Sequence, residues 1–262
     1  MQMKNYPRKV LLLFWLLFVC LMLHGREATQ SGGNDSGTDE AKQTQQVVER
    51  PEDFSRKGAI TLPEPRETSA VSVEACMKER RSVRSYTAAP LSLANVSQLL
   101  WAAYGVSYPL QRAGLRGGLK TAPSAGALYP LEIYLVVGNV TGLSPGVYYY
   151  LCDSHKIVMI KPGDTRDALC RAAYGQTMVR KAPVSIVYSA VFSRTTNRYG
   201  QRGRDRYVCM DLGHSAQNVY LQAHALGLGT CAVGAFNDQQ VHQVVGMSRA
   251  EDALYIMPIG KR

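Results

Sequence analysis

Thr121-Ala122-Pro123-Ser124-Ala125-Gly126-Ala127-Leu128-Tyr129-Pro130 runs directly into Leu131-Glu132-Ile133-Tyr134-Leu135-Val136-Val137. The first part carries two prolines and mostly small side chains, so it reads as an irregular or short-helical approach. The second is aliphatic, β-branched or aromatic at nearly every position and reads as a strand. Working outward, residues 147–151 and 156–160 read as a hairpin around the turn Cys152-Asp153-Ser154-His155. Residues 184–192 form a strongly apolar strand, 230–236 a strand or loop, and 253–259 a last strand. Helices are expected over 72–80, 167–174, 207–226 and 238–245. Another starts at Ser92, which can cap it, and carries Leu93, Val96, Leu99, Leu100 and Ala103 on one face until Gly105. Residues 109–118 read as a loop rich in Gly and Arg. Strands and helices are mixed without regular βαβ alternation, which gives an α+β layered class.

The chain has 262 residues, enough for one domain with a full core, and a formal net charge of +10 at pH 7. Such a balance favours anionic ligands or surfaces. Lys4, Arg8 and Lys9 precede an unbroken apolar run over residues 10–23, so residues 1–28 read as a signal peptide or membrane anchor. The protein is therefore expected to be exported, periplasmic or extracytoplasmic, with a membrane tether if the leader is kept. Residues 29–70 are polar and read as a flexible linker, leaving 71–262 as the folded domain. Cys20 lies in the leader, and the other five cysteines are too scattered for a CxxC or zinc pattern. They read as core thiols, and no metal site is expected.

No GxGxxG or GxxxxGK[ST] fingerprint occurs. Instead, Arg80-Arg81-Ser82-Val83-Arg84 sets three guanidiniums and a hydroxyl within five residues, which suits a phosphate. Lys261-Arg262 is a second basic group behind an apolar strand. Pro123-Ser124-Ala125-Gly126, Gly227-Leu228-Gly229 and Gly234-Ala235-Phe236 have the small side chains that let backbone approach a flat ring. Cys209 and His214 are five residues apart on a helix and point to different sides, against a hydrolase pair, whereas Asp211 and His214 can hydrogen-bond. Arg194, Arg198, Arg202, Arg204 and Arg206, interleaved with Tyr199 and Tyr207, read as a basic loop at a cofactor mouth or dimer edge, not as a nucleic-acid surface.

Taken in order, these segments resemble the nitroreductase-like flavoproteins, most closely the SagB-type dehydrogenases related to azole-forming peptide-modifying enzymes. The matching stretches run from about Val73 to Arg262 and include 80–84, 99–105, 123–132, Gly175-Gln176, Gln217-Asn218, 227–229 and 234–236. The resemblance implies the FMN-dependent nitroreductase α+β fold, with a central, mainly antiparallel sheet flanked by helices. It implies a homodimer with flavins at the interface, and FMN as cofactor. Arg80, Arg81, Ser82 and Arg84 match phosphate and ribityl contacts; Lys261 and Arg262 match carboxy-terminal phosphate contacts. Pro123, Ser124, Ala125 and Gly126 match the loop beside the ring, Gly234 and Ala235 the backbone near flavin N5, and Gln176 a polar contact at the pyrimidine edge. The implied activity is transfer of hydride or electrons between a donor such as NAD(P)H and a small-molecule or peptide-derived acceptor, including SagB-type dehydrogenation. A non-catalytic flavin binder of the same fold is the alternative. No side chain is ranked as catalytic.

Overall fold

A computed structural model describes residues 58–112 and 115–262. The expected leader, and the expected linker up to residue 57, lie outside the described residues. Eleven strands are formed in chain order: β1 (Ile60–Thr61), β2 (Leu91–Ser92), β3 (Val106–Pro109), β4 (Gly118–Lys120), β5 (Leu131–Val137), β6 (Val140–Thr141), β7 (Gly146–Leu151), β8 (Lys156–Pro162), β9 (Val184–Ala190), β10 (Leu228–Thr230) and β11 (Asp252–Lys261) among the described residues. Seven of them make the main sheet, in the order β1-β8-β7-β5-β9-β11-β10. Every neighbouring pair in it is antiparallel.

Helices cover both faces. Leu131, Ile133, Leu135 and Val137 of β5 enter one core with α2 (Leu93–Tyr104) and the long α6 (Val208–Ala225). Tyr134 and Val136 enter the other with α3 (Arg166–Ala172), α4 (Thr177–Lys181) and α7 (Asp238–Val245). Successive strand residues point to opposite faces. Burial on both faces is why these strands read as unbroken apolar runs rather than alternating ones. On α6, Val208, Leu212, Ala216, Val219 and Ala223 recur at spacings of three and four and form its buried stripe. Ser92 caps α2 in a reciprocal box with Asn95, and Ser72 caps α1 (Val73–Glu79) by accepting from the Ala75 amide.

Three expectations need correction. Residues 58–70 were assigned to a flexible linker, yet Ile60 pairs with Ile157 and Leu62 is buried in the core. The Pro63 carbonyl also accepts from Ser97, so the folded domain begins before residue 71. The loop read over 109–118 is shorter by one residue at each end, where Pro109 and Gly118 belong to the paired strands β3 and β4. The basic stretch after β9 is helical: α5 (Ser193–Arg202) runs through a break at Gly200 into a wider π turn at Gly203–Tyr207. Its almost wholly polar sequence hides the 3.6-residue period. Rings and guanidiniums hold it instead, with Arg204 4.4 Å from the Phe192 centroid and Tyr199 edge-on to Tyr207 at 4.9 Å.

Candidate functional site

At the end of α1 the backbone turns extended at Arg80 and lays Ser82 beside Thr230 of β10. The Val83 amide donates to the Thr230 carbonyl at 2.9 Å. This approach needs glycine at 229, where a Cβ would stand 2.6 Å from the Val83 side chain. The result is a narrow notch lined by Arg80, Arg81, Tyr220, His224, Thr230 and Arg262, among others. Arg80 lies over the Tyr220 ring, 5.2 Å from its centroid, and Ser82 Oγ is 3.2 Å from Tyr220 Oη. Arg262 donates through Nε to the Leu228 carbonyl at 3.1 Å and through Nη2 to His224 Nδ1 at 2.7 Å. Thr230 is 1% exposed, and its hydroxyl has no hydrogen-bond partner among the described residues. Helices α1 and α6 both finish here, and helix C-termini carry partial negative charge. Any attraction for an anion here would come from the arginines, of which Arg81 already donates to the Lys78 and Arg80 carbonyls.

The opposite end of α6 is built differently. Ser124 Oγ donates to Asp211 Oδ2 at 2.5 Å, the Ala125 amide to Oδ1 at 3.3 Å, and the Tyr129 amide to Ser124 Oγ at 2.9 Å. Burial pushes the Asp211 carboxyl up, against the lowering pull of these hydrogen bonds. The expected Asp211–His214 hydrogen bond is replaced by this clamp, and His214 Nδ1 instead stands 3.3 Å from the Pro123 carbonyl. The clamp holds a strained loop: Gly126, Ala127 and Tyr129 have φ of 62°, 55° and 46°. A Cβ at Gly126 would meet the Tyr199 hydroxyl at 2.7 Å, so the tyrosine side chain would have to yield. Behind the loop, Glu132 accepts from Arg116 at 2.7 Å and forms an ion pair with Arg194 at 2.6 Å, and Tyr149 donates to it at 2.6 Å. Burial alone would raise the Glu132 carboxyl, but the two guanidiniums prevail and hold it at about 2.

A third group sits at the sheet edge. Gln176 Nε2 donates to the Ala235 carbonyl at 2.9 Å, and Gly234 and Ala235 are exposed. Only four positions separate Thr230 from Gly234, and between them the Ala232 amide donates to Tyr220 Oη at 2.7 Å. The notch and the Gly234–Ala235 backbone are thus neighbours. Alongside α6 runs a cleft of about 410 Å³ whose walls include Trp101, Thr121, Asn218 and Gln222.

One chain therefore brings together Arg80, Arg81, Ser82 and Arg262, with Gly234, Ala235 and Gln176 close by. It does not bring Pro123, Ser124, Ala125 and Gly126 to them, because Asp211 and His224 are separated by roughly 20 Å along the helix axis. Arg84 is exposed and bears on Tyr86 and Cys231, and neither it nor Lys261 lines the notch. Tyr220, His224, Thr230 and the clamp role of Asp211 were missed from sequence. The spacing of Tyr220 and His224, four apart on one helical face, is the signal that could have found two of them.

A family model described as the nitroreductase family matches residues 77–261. The chain belongs to the nitroreductase family. It is a nitroreductase-family oxidoreductase, and the antiparallel sheet between helix layers is that family's fold. It is 43% identical over 203 residues to a protein of Methanocaldococcus jannaschii named "putative nitroreductase", covering 78% of this chain and 96% of the relative. A solved structure of the same description from Ralstonia eutropha is 28% identical, with a TM-score of 0.65, covering 79% of this chain and 91% of that one. The microcin B17-processing protein McbC of Escherichia coli is 29% identical over 133 residues, which is 48% of each chain.

Proposed function

We propose that the protein is an FMN-dependent oxidoreductase that works as a homodimer. The observation that carries this reading is the notch, where Arg80, Arg81 and Arg262 gather beside a buried Thr230 hydroxyl that has no partner among the described residues. Arg80, Arg81 and Arg262 would neutralise the phosphate, with Ser82 and Thr230 donating hydroxyls. The adjoining Gly234–Ala235 backbone and Gln176 would border the ring. A backbone N–H at Gly234 offers a donor that does not titrate. The Pro123–Gly126 loop lies at the opposite end of α6 from the notch, and a second copy would supply it, so that each α6 serves one site at each end. When bound, the flavin supplies hydride and electron transfer between a donor such as NAD(P)H and an organic acceptor.

The likeness to McbC supports a SagB-type dehydrogenation as the substrate half-reaction, with a small-molecule or peptide-derived acceptor. The basic, apolar amino terminus supports export with a membrane tether. Titration of the purified protein with FMN, followed by flavin fluorescence, tests the cofactor. Saturable uptake with release of FMN on denaturation is expected, together with dimeric mass. A protein that takes up no FMN overturns the reading. Uptake without turnover of NADH, NADPH or a dithionite-reduced flavin by any acceptor assigns it to the flavin-binding alternative.

A further inference from the structure

Arg262 directly follows β11. Its guanidinium is held at two points. Nε donates to the Leu228 carbonyl, and Nη2 to His224 Nδ1 at 2.7 Å. Arginine has donors only, so His224 Nδ1 must be the unprotonated nitrogen and Nε2 must carry the hydrogen. That Nε2 lies 3.4 Å from Glu79 Oε2, at the end of α1. The imidazole is largely buried, with 12% of its side chain exposed, whereas Glu79 is 60% exposed. The order Glu79, His224, Arg262 thus links the end of α1, the end of α6 and the residue after β11. The His224–Arg262 contact is a hydrogen bond, and the Glu79 carboxylate stands beside the other ring nitrogen.

We propose that His224, with the Glu79 carboxylate beside its Nε2, forms a positioning pair that orients the Arg262 guanidinium for the anionic group of the ligand. The proposal rests on the FMN reading above and adds residues to it. Neither residue need touch the ligand. Their effect is to order the flexible Arg262 side chain during folding, so that less conformational freedom is lost on binding. It follows that they should matter for FMN and not for riboflavin, which has the same ring and no phosphate.

The experiment compares FMN and riboflavin dissociation constants by flavin fluorescence in the full chain and its variants. His224→Ala should weaken FMN binding about tenfold, the size of one charge-assisted hydrogen bond, and leave riboflavin unchanged. His224→Asn should recover most of the loss, because its amide oxygen can stand where Nδ1 accepts. In a double-mutant cycle, His224→Ala should add nothing once Arg262→Ala is present. Unchanged FMN affinity in His224→Ala overturns the proposal. So does equal loss of FMN and riboflavin, which would mark a general packing defect, or full additivity with Arg262→Ala. Riboflavin binding also controls for folding. If the unaltered protein binds neither flavin, the FMN reading itself has failed and this inference falls with it. If it binds FMN and ignores His224, only this inference fails.

Discussion

The two ends of α6 use charge in opposite ways. At its start, Asp211 and, behind the loop, Glu132 are enclosed by donors from Ser124, Ala125, Arg116, Arg194 and Tyr149. At its end, Arg80, Arg81 and Arg262 meet around a notch, and Thr230 keeps a buried hydroxyl without a partner. Closed networks hold strained backbone: Ala127 and Tyr129 keep positive φ because the clamp over-determines them. Open networks hold ligands. The first end should therefore respond to mutation in stability, and the second in binding.

The largest effect should come from breaking the closed end. Glu132→Gln leaves Arg116 and Arg194 packed against a neutral amide, and losing one partner of a buried ionic cluster costs about 3–5 kcal/mol. Glu132 is held at about 2 against an ordinary 4.5, so its contribution is complete above pH 4.5 and is lost as pH falls toward 2. Chemical denaturation at several pH values should show the gap between the two proteins closing in that window. A constant gap would mean that the carboxylate's charge is not what stabilises the fold.

At the open end, Arg262→Ala should weaken FMN binding ten- to a hundredfold, from about 1.5–3 kcal/mol for a hydrogen bond to a charged group. Thermal stability should move little, since the side chain caps no core. Lys261→Ala is the internal control. Lys261 pairs with Leu228 through its backbone, outside the notch lining, and its loss should change affinity only slightly. Equal effects of the two substitutions would show that only net charge matters at the carboxy terminus.

A subtler test contrasts the two acids of the closed end. Asp211→Asn supplies one acceptor oxygen to two donors and should cost about 1 kcal/mol. Its pH dependence should run opposite to that of Glu132→Gln. Burial raises the Asp211 carboxyl, so the native state holds its proton longer than the unfolded chain, and stability falls as pH rises above 3.8. The margin of the native protein over Asp211→Asn should shrink with rising pH, where the Glu132→Gln cost grows. Parallel pH curves for the two variants would refute this division of roles.

How much of this was legible beforehand follows from the range of the interactions. The long strands β5, β7, β8, β9 and β11 and most helices were, because apolar runs, Ser92, Gly105 and Gly227 are local signals, whereas the short β1, β2, β3, β4 and β6 carry too few residues to show a pattern. The α+β class followed from their order. The Arg80–Arg84 cluster was visible as composition, but which guanidiniums reach the notch was not. Arg84 is exposed and lies outside the notch lining, and that depends on how residues 80–87 cross β10 and β11. The clamp from Asp211 to Ser124 spans 87 positions, and no spacing rule reaches that far. Helix α5 stayed hidden because tyrosine–arginine stacking, rather than an apolar stripe, supports it.

The smallest expected effect is also the most direct probe of the open end. Thr230→Val keeps the shape of a β-branched side chain and removes only the hydroxyl. In most buried sites that change breaks a hydrogen bond and destabilises. Thr230 Oγ1 has none to break among the described residues, so burying it already costs free energy in the ligand-free chain. The ligand-free variant should be as stable as the parent or more so, by up to about 1 kcal/mol. FMN affinity should move the other way, falling about threefold to tenfold, as expected for one neutral donor to a phosphate oxygen. Paired melting curves, with and without saturating FMN, separate the two. The expected pattern is a higher midpoint without FMN and a smaller rise with it. If Thr230→Val lowers the ligand-free midpoint, the hydroxyl already has a partner in solution, and the notch is a closed network like the other end of the helix.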